Sequence, residues 1–295
     1  MADKMPIPIH YEFARYLAAK KSVDDRALNR HVWDTLLRVI AQRSRKEPFL
    51  VLEIGAGIGT MIERLTAWNM TECPVLYTAI DAEPNNIDVA QRRLIDSPPS
   101  SSWRIVLETV DLFDFIEQNS GRSWDLLVAH AFLDLLDVPA RLPDILSLIK
   151  PGGLFYFTIN FDGLTILEPA LDPEYDAEVM RLYHETMDKR MANNLPSGDS
   201  HTGRHLFQNL RANGAAILAA GSSDWVVFPQ NSGYPDDEAY FLHFIIHTIA
   251  AALENKPGLE HSRFAEWIAE RHAQVQRGEL IYIAHQIDFV GLWPG

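Results

Sequence analysis

The sequence predicts an α/β protein: a doubly wound, seven-stranded, mostly parallel sheet with a helical N-terminal segment and helical inserted segments. Three observations predict it. Between Phe49 and Ile159, short runs rich in β-branched and aromatic residues alternate with stretches of helical period. The short runs are almost continuously apolar, as strands covered on both faces are. Turn-forming sequences stand where two of the elements should join, SPPSSS at 97–102 and KPGG at 150–153.

The elements follow in order. FLVLEI (49–54) reads as the first strand and TMIERLTAW (60–68) as its helix; PVLYTAI (74–80) is the second strand, followed by the helix NNIDVAQRRLI (85–95). WRIVLETV (103–110) is the third strand. WDLLVAH (124–130) is the fourth, with the helix ARLPDILSLI (140–149), and GGLFYFTI (152–159) is the fifth. The last two strands are expected in AAILAA (215–220) with DWVVFP (224–229), and in ELIYIAHQIDFVGLW (279–293). Parallel order requires crossover helices, and in such sheets ligands sit at the carboxyl ends of the strands.

Three segments lie outside the alternation. Residues 1–46 contain two amphipathic helical stretches, YEFARYLAAKK and ALNRHVWDTLLRVIAQ. Residues 161–200 and 235–278 read as helical insertions in a domain spanning 47–295. Insertions after late strands emerge at the sheet edge that carries the glycine loop, so these segments are expected to form a lid.

The 295-residue chain, 47% hydrophobic, is long enough to bury a large core. Its net charge of −14 repels phosphate backbones and argues against nucleic acid as a partner. Residues 1–46 run the other way, with ten Lys/Arg and five Asp/Glu, leaving 26 − 10 = 16 basic and 40 − 5 = 35 acidic residues elsewhere. A solvated basic helix face is the plain reading of that excess, an anion-binding lid the sharper one. The lone Cys73 and the absence of an apolar leader in MADKMPIPIHYEF favour a reducing cytoplasm. The longest apolar stretch, YFLHFIIHTIAAAL, is too short to span a bilayer, so no membrane is expected.

The chemistry concentrates in LEIGAGIG (52–59). Gly55, Gly57 and Gly59 give G-x-G-x-G, and the dinucleotide fingerprint fails at Thr60, where it needs a glycine. Glu53 precedes the loop by two residues and is expected at its mouth, where a carboxylate repels a pyrophosphate and suits a cationic ligand. At the end of the second strand, Asp81 is placed to accept hydrogen bonds from ribose hydroxyls or to cap the helix that begins near Ala82-Glu83-Pro84.

With EIGAGIG at 53–59, strand-end Asp81, Asp111 after the third strand, and KPGG before the fifth, the chain resembles the class I S-adenosylmethionine-dependent methyltransferases over about residues 49–160. The resemblance implies a Rossmann-like methyltransferase domain that takes S-adenosyl-L-methionine. It implies cofactor contacts from Glu53, Gly55, Ala56, Gly57, Gly59, Asp81, Ala82, Asp111, Leu112 and His130, with Asp111 and Leu112 at the adenine and His130 beside the methionine part. The alternatives are a non-catalytic protein that binds the same cofactor and a nicotinamide-dependent oxidoreductase.

Methyl transfer from a sulfonium is an in-line displacement in which positioning does most of the work, and a base is needed only if the acceptor must lose a proton. His130, at the end of the fourth strand, is the candidate base, and Asn160, at the end of the fifth, a candidate for orienting the acceptor. Tyr11, Tyr16, Phe161, His201, Arg204 and His205 are candidate contacts to a small-molecule acceptor, Arg204 as a clamp on a carboxylate or phosphate. The i, i+4 histidine pairs His201/His205 and His243/His247 lack the glutamate of H-E-x-x-H, and no metal is expected. A homodimer is compatible with the sequence.

Overall fold

The computed structural model describes residues 6–43, 47–99, 101–192, 195–231 and 233–295. In chain order the elements are α1 (Phe13–Ala27), α2 (Arg30–Ala41), β1 (Phe49–Ile54), α3 (Thr60–Ala67), β2 (Val75–Asp81), α4 (Pro84–Asp96), β3 (Trp103–Thr109), α5 (Leu112–Gln118), β4 (Trp124–His130), α6 (Val138–Ser147) and β5 (Ile149–Glu168). There follow α7 (Pro173–Asp188), the two-residue strands β6 (Met191–Ala192) and β7 (Leu195–Pro196), α8 (Thr202–Ala212), β8 (Ala216–Ser222), β9 (Trp225–Val227), α9 (Glu238–Leu253), α10 (His261–Arg277) and β10 (Ile281–Trp293).

The described residues divide into two compact units, each assembled from three stretches of sequence. One comprises 28–162, 201–223 and 286–295. Its strands are ordered β3-β2-β1-β4-β5-β10-β8. The pairs β3/β2, β2/β1, β1/β4 and β4/β5 are parallel, whereas β10 pairs antiparallel with β8 and, at its start, with β9. This is the doubly wound, mostly parallel sheet that the alternation predicts.

Side chains explain the layers. Leu52, Ile54, Leu127, Phe155, Phe157 and Phe289 from the sheet cluster with Leu142, Ile145 and Leu146 of α6, all buried. Burying each such side chain contributes on the order of 1.5–3 kcal/mol. The α5 helix is not among the expected elements: Asp111 starts it by accepting Phe113 N–H at 2.8 Å, and Leu112 and Phe115 anchor it.

The expected boundary at residue 46 differs from the structure. Within 1–46 the chain divides at residue 28, and α2 joins the sheet-bearing unit. Its buried Val32, Trp33, Leu36 and Ile40 form an apolar face, and the Trp33 ring stands 5.3 Å from Trp68 and 6.0 Å from Tyr156. Asn29, the N-cap, accepts Val32 N–H at 3.1 Å and donates Nδ2–H to Ser222 O at 2.8 Å.

The fifth strand differs too. Instead of ending near Ile159 it continues to Glu168, and Ile159 has φ +57°, a left-handed conformation rare for a β-branched residue. Buried Asp288 holds it there, accepting Ile159 N–H on Oδ1 at 2.7 Å and Asn29 N–H on Oδ2 at 2.8 Å.

The second unit gathers the described residues of 1–27, 163–200 and 224–285, joining α1 with the two helical insertions. The cations of α1, expected as a solvated basic face, each meet an acid, Arg15 and Arg26 while about half exposed. Lys20 meets Asp24 at 2.7 Å inside the unit, Lys21 meets Asp25 at 2.9 Å, Arg15 meets Asp237 at 2.9 Å, and Arg26 meets buried Glu238 at 2.6 Å. Asp24 also accepts the Trp225 indole N–H at 2.9 Å. Arg271, fully buried, donates to Asp176 at 2.6 Å and to Pro169 O at 2.8 Å. A buried cation so partnered is costly to disturb from either side.

Candidate active site

The glycine loop links β1 to α3, and all three glycines are left-handed, with φ of +65° at Gly55, +53° at Gly57 and +78° at Gly59. The loop is tied to its neighbour strand. Ala56 N–H donates to Ile80 O at 2.9 Å, and Gly57 N–H donates to Asp81 Oδ2 at 2.8 Å. A Cβ on Gly55 would stand 2.2 Å from Phe132 Cδ2, so glycine is required there for conformation and for space alike. Phe132, which the sequence reading does not single out, follows Ala131, another left-handed residue, at φ +50°.

Asp81 is the organiser of this corner and is not the cap of α4. Besides Gly57 N–H it accepts Glu83 N–H at 2.9 Å and Asn86 Nδ2–H at 3.1 Å, both on Oδ1. A carboxylate offers about four lone-pair positions, and these three donors leave about one. Such an acceptor suits one ribose hydroxyl as it stands; bidentate acceptance, the sequence expectation, requires an existing donor to give way. Ala82 lies in the turn between β2 and α4, and exposed Asp111 keeps one oxygen on Phe113 N–H beside buried Leu112.

Glu53 is not at the loop's mouth. Its side chain is 1% exposed, and its Oε2 accepts the Tyr77 hydroxyl proton at 2.8 Å. Burial pushes its carboxyl up to about 8, against the Tyr77 hydrogen bond and the charge of Arg64, so near neutral pH it is largely uncharged. The expected selection of a cation by an exposed carboxylate is therefore corrected: β1 is covered on both faces, and position 53 points inside.

His130 is 9% exposed, and both its ring nitrogens have partners. Nε2 lies 3.2 Å from Arg64 Nη1, and Nδ1 lies 2.8 Å from Thr158 Oγ1. A base must have a nitrogen within reach of the acceptor, and here both are turned to the protein, which removes the ground for casting His130 as the base. Arg64 escapes sequence reading because it is separated from His130 by 66 residues; its one signal is an arginine next to buried Met61, Ile62 and Leu65 on a short helix.

Asn160 is fully buried; it donates Nδ2–H to Ile287 O at 2.8 Å, and its Oδ1 has no partner among the described residues. Phe161 is buried beside it in sequence. Arg204 is committed within the protein: its backbone N–H and Nε–H both reach Asp162 Oδ1, at 2.7 and 2.8 Å, and Nη2 reaches Oδ2 at 3.0 Å. A clamp already holding a carboxylate is not open to a second one, which corrects the expectation for Arg204. His201 stands at the N-cap of α8 and exposed His205 one turn on, with ring centroids 6.0 Å apart.

The remaining expected contacts lie in the second unit. Tyr11 stacks on His247 at 4.1 Å, with its hydroxyl buried and without a partner among the described residues. Tyr16 stacks on Phe241 and Phe244, at 5.7 and 4.1 Å. His243 is buried, its Nδ1 2.8 Å from His272 Nδ1.

A family model described as "Methyltransferase domain" matches residues 52–155, from the strand before the glycine loop to the middle of β5. Residues 52–155 thus match a methyltransferase domain. S-adenosyl-L-methionine is the cofactor expected from the sequence. A ubiquinone biosynthesis O-methyltransferase of Methylobacterium nodulans is 26% identical over 131 residues, 43% of this chain and 48% of that protein. The chain thus spans about half the length of the curated relative it matches. Among solved structures, a SAM-dependent methyltransferase from Thiobacillus denitrificans in complex with S-adenosyl-L-homocysteine is 14% identical with a TM-score of 0.45, covering 97% of this chain and 99% of that one. YcgJ from Bacillus subtilis is 15% identical with a TM-score of 0.47, covering 89% and 99%.

The methyltransferase domain's own residues fit this cofactor. The left-handed glycines make a loop that a side chain would fill, and Asp81 and Asp111 offer acceptors to a ribose and an amino group, which are donors. Among the described residues, no helix is long and apolar enough to cross a membrane.

Proposed function

We propose that the chain is an S-adenosylmethionine-dependent methyltransferase acting on a small molecule. The observation that supports this most is the hydrogen bond from Gly57 to Asp81, which joins a left-handed glycine loop to an acceptor at the next strand end inside a methyltransferase domain. When bound, the cofactor supplies an electrophilic methyl group. The chain's residues bind and orient: Gly55, Ala56, Gly57 and Gly59 admit the ligand to the loop, Asp81 and Ala82 take the ribose, Asp111 and Leu112 the adenine, and His130 walls the methionine part. Asn160, with its unpartnered Oδ1, is the group for orienting an acceptor that carries an N–H or O–H. Transfer on this arrangement draws its rate from positioning rather than from a base.

The net charge of −14 favours a small acceptor over a nucleic acid, and the single cysteine favours a reducing compartment such as the cytoplasm. Calorimetry with S-adenosylmethionine, S-adenosylhomocysteine and NAD tests the cofactor. Binding of the first two alone is expected; binding of NAD alone would overturn the assignment. Transfer of a labelled methyl group into a metabolite extract separates an enzyme from a protein that merely binds the cofactor.

A further inference from the structure

Arg64 stands one turn into α3, directly after the glycine loop, and is 1% exposed. Its Nη1 lies 3.2 Å from His130 Nε2 and 3.3 Å from Thr60 Oγ1. A guanidinium carries donors only and keeps its charge in proteins. The contact with His130 is a hydrogen bond only if Nε2 is a bare acceptor. The ring proton then sits on Nδ1 and is donated to Thr158 Oγ1 at 2.8 Å.

The surroundings reinforce that state. From α3 the ring faces a permanent cation. Behind Arg64 lie Glu53 of β1, whose carboxyl feels that cation, and Tyr77 of β2, hydrogen-bonded to Glu53. From β5 come Thr158 and Tyr156, and Tyr156 is influenced by both Arg64 and Asp288 of β10. A proton moved to Nε2 would turn two donors toward each other and break the Arg64 contact, and a second proton on the ring would place two cations about 3 Å apart in a desolvated interior, where like charges repel strongly.

We propose that Arg64 is a positioning residue of the cofactor site: it fixes His130 as a neutral, Nδ1-protonated ring, so that the end of β4 is a wall and lends the acceptor no base. The proposal rests on the methyl-transfer reading. It implies an acceptor whose attacking lone pair is available without proton transfer to His130.

Long-range ¹H–¹⁵N imidazole spectra of the full-length protein, with His130 assigned by the loss of its signals in His130→Gln, read the tautomer from pH 5.5 to 8.5. A protonated Nδ1 and a bare Nε2, unchanged across the range, are expected. In Arg64→Met the ring should titrate in the ordinary imidazole range, and S-adenosylhomocysteine binding should weaken at least fivefold and become pH-dependent. Arg64→Lys, which keeps a donor, should restore most of both. A wild-type ring that titrates, or that carries its proton on Nε2, overturns the proposal even if Arg64→Met fails to fold. So does an Arg64→Met protein with unchanged spectra and affinity. A fixed tautomer in a wild-type protein that binds no S-adenosylhomocysteine would instead refute the methyl-transfer reading and leave the positioning geometry standing.

Discussion

Replacing Glu53 by glutamine isolates the effect of burying a carboxyl beneath the glycine loop. The folded protein holds this proton up to about pH 8, whereas the ordinary value is 4.5. A raised folded value means that the group's contribution to stability is fully present below about 4.5 and is lost as pH rises through about 8. At about 1.36 kcal/mol per pH unit from 4.5 to about 8, this amounts to roughly 5 kcal/mol in all, of which about 3.5 falls between pH 5 and 8. Glutamine keeps an oxygen for the Tyr77 hydroxyl and an N–H in place of the acid proton, but never ionises. Urea unfolding of wild type and Glu53→Gln at pH 5, 6, 7 and 8 measures the difference, in which every other titrating group cancels. The two should lie close at pH 5, and the variant should gain on wild type by about 1 kcal/mol per pH unit up to pH 8. A difference independent of pH would refute the reasoning, because it would mean that Glu53 is ionised in the fold against Arg64. A tenfold loss of S-adenosylmethionine affinity in a folded Glu53→Gln protein would reinstate its charge as the selector.

Three further outcomes are expected. Gly55→Ala should destabilise by about 2 kcal/mol or more and abolish S-adenosylhomocysteine binding, and Gly55→Ala combined with Phe132→Ala should be less harmful than the sum of the two, as thermal melts and calorimetry would show. Asp81→Asn should cost about 1–2 kcal/mol of stability through the Gly57 and Glu83 N–H groups, and should weaken S-adenosylhomocysteine at least tenfold in calorimetry. Burial lowers His243 and His272 to about 4, helped by the charge of His272 on the first and of His247 on the second, so both are neutral near pH 7 and the stability they carry is lost as pH falls from about 6.5 toward 4. His243→Phe should remove about 2 kcal/mol of that acid sensitivity, read by denaturant unfolding at pH 4.5 and 7.

The sheet was legible because parallel strands leave a near-continuous apolar trace, and the first four strands fall within a residue or so of FLVLEI, PVLYTAI, WRIVLETV and WDLLVAH. The α5 helix was not, since seven residues hold too few turns to show a period. Nor was the run of β5 to Glu168, whose kink at Ile159 depends on Asp288 far along the chain. The site was legible as a set of places and not as directions. Glycine spacing located the loop, and strand ends located Asp81, Asp111, His130 and Asn160. Which way Glu53 points, and which donor meets His130, follow from packing between α3 and the sheet. Arg204 misled for the same reason: its partner, Asp162, is brought to it only by the fold.

The placement of β10 between β5 and β8 has a consequence for synthesis. During translation the five parallel strands can zip up early, but β8 has no neighbour to join and β5 keeps a bare flank until residues 286–293 leave the ribosome. A nascent chain stalled short of that point exposes an unpaired, apolar margin of the kind that recruits chaperones or a stray strand from another molecule.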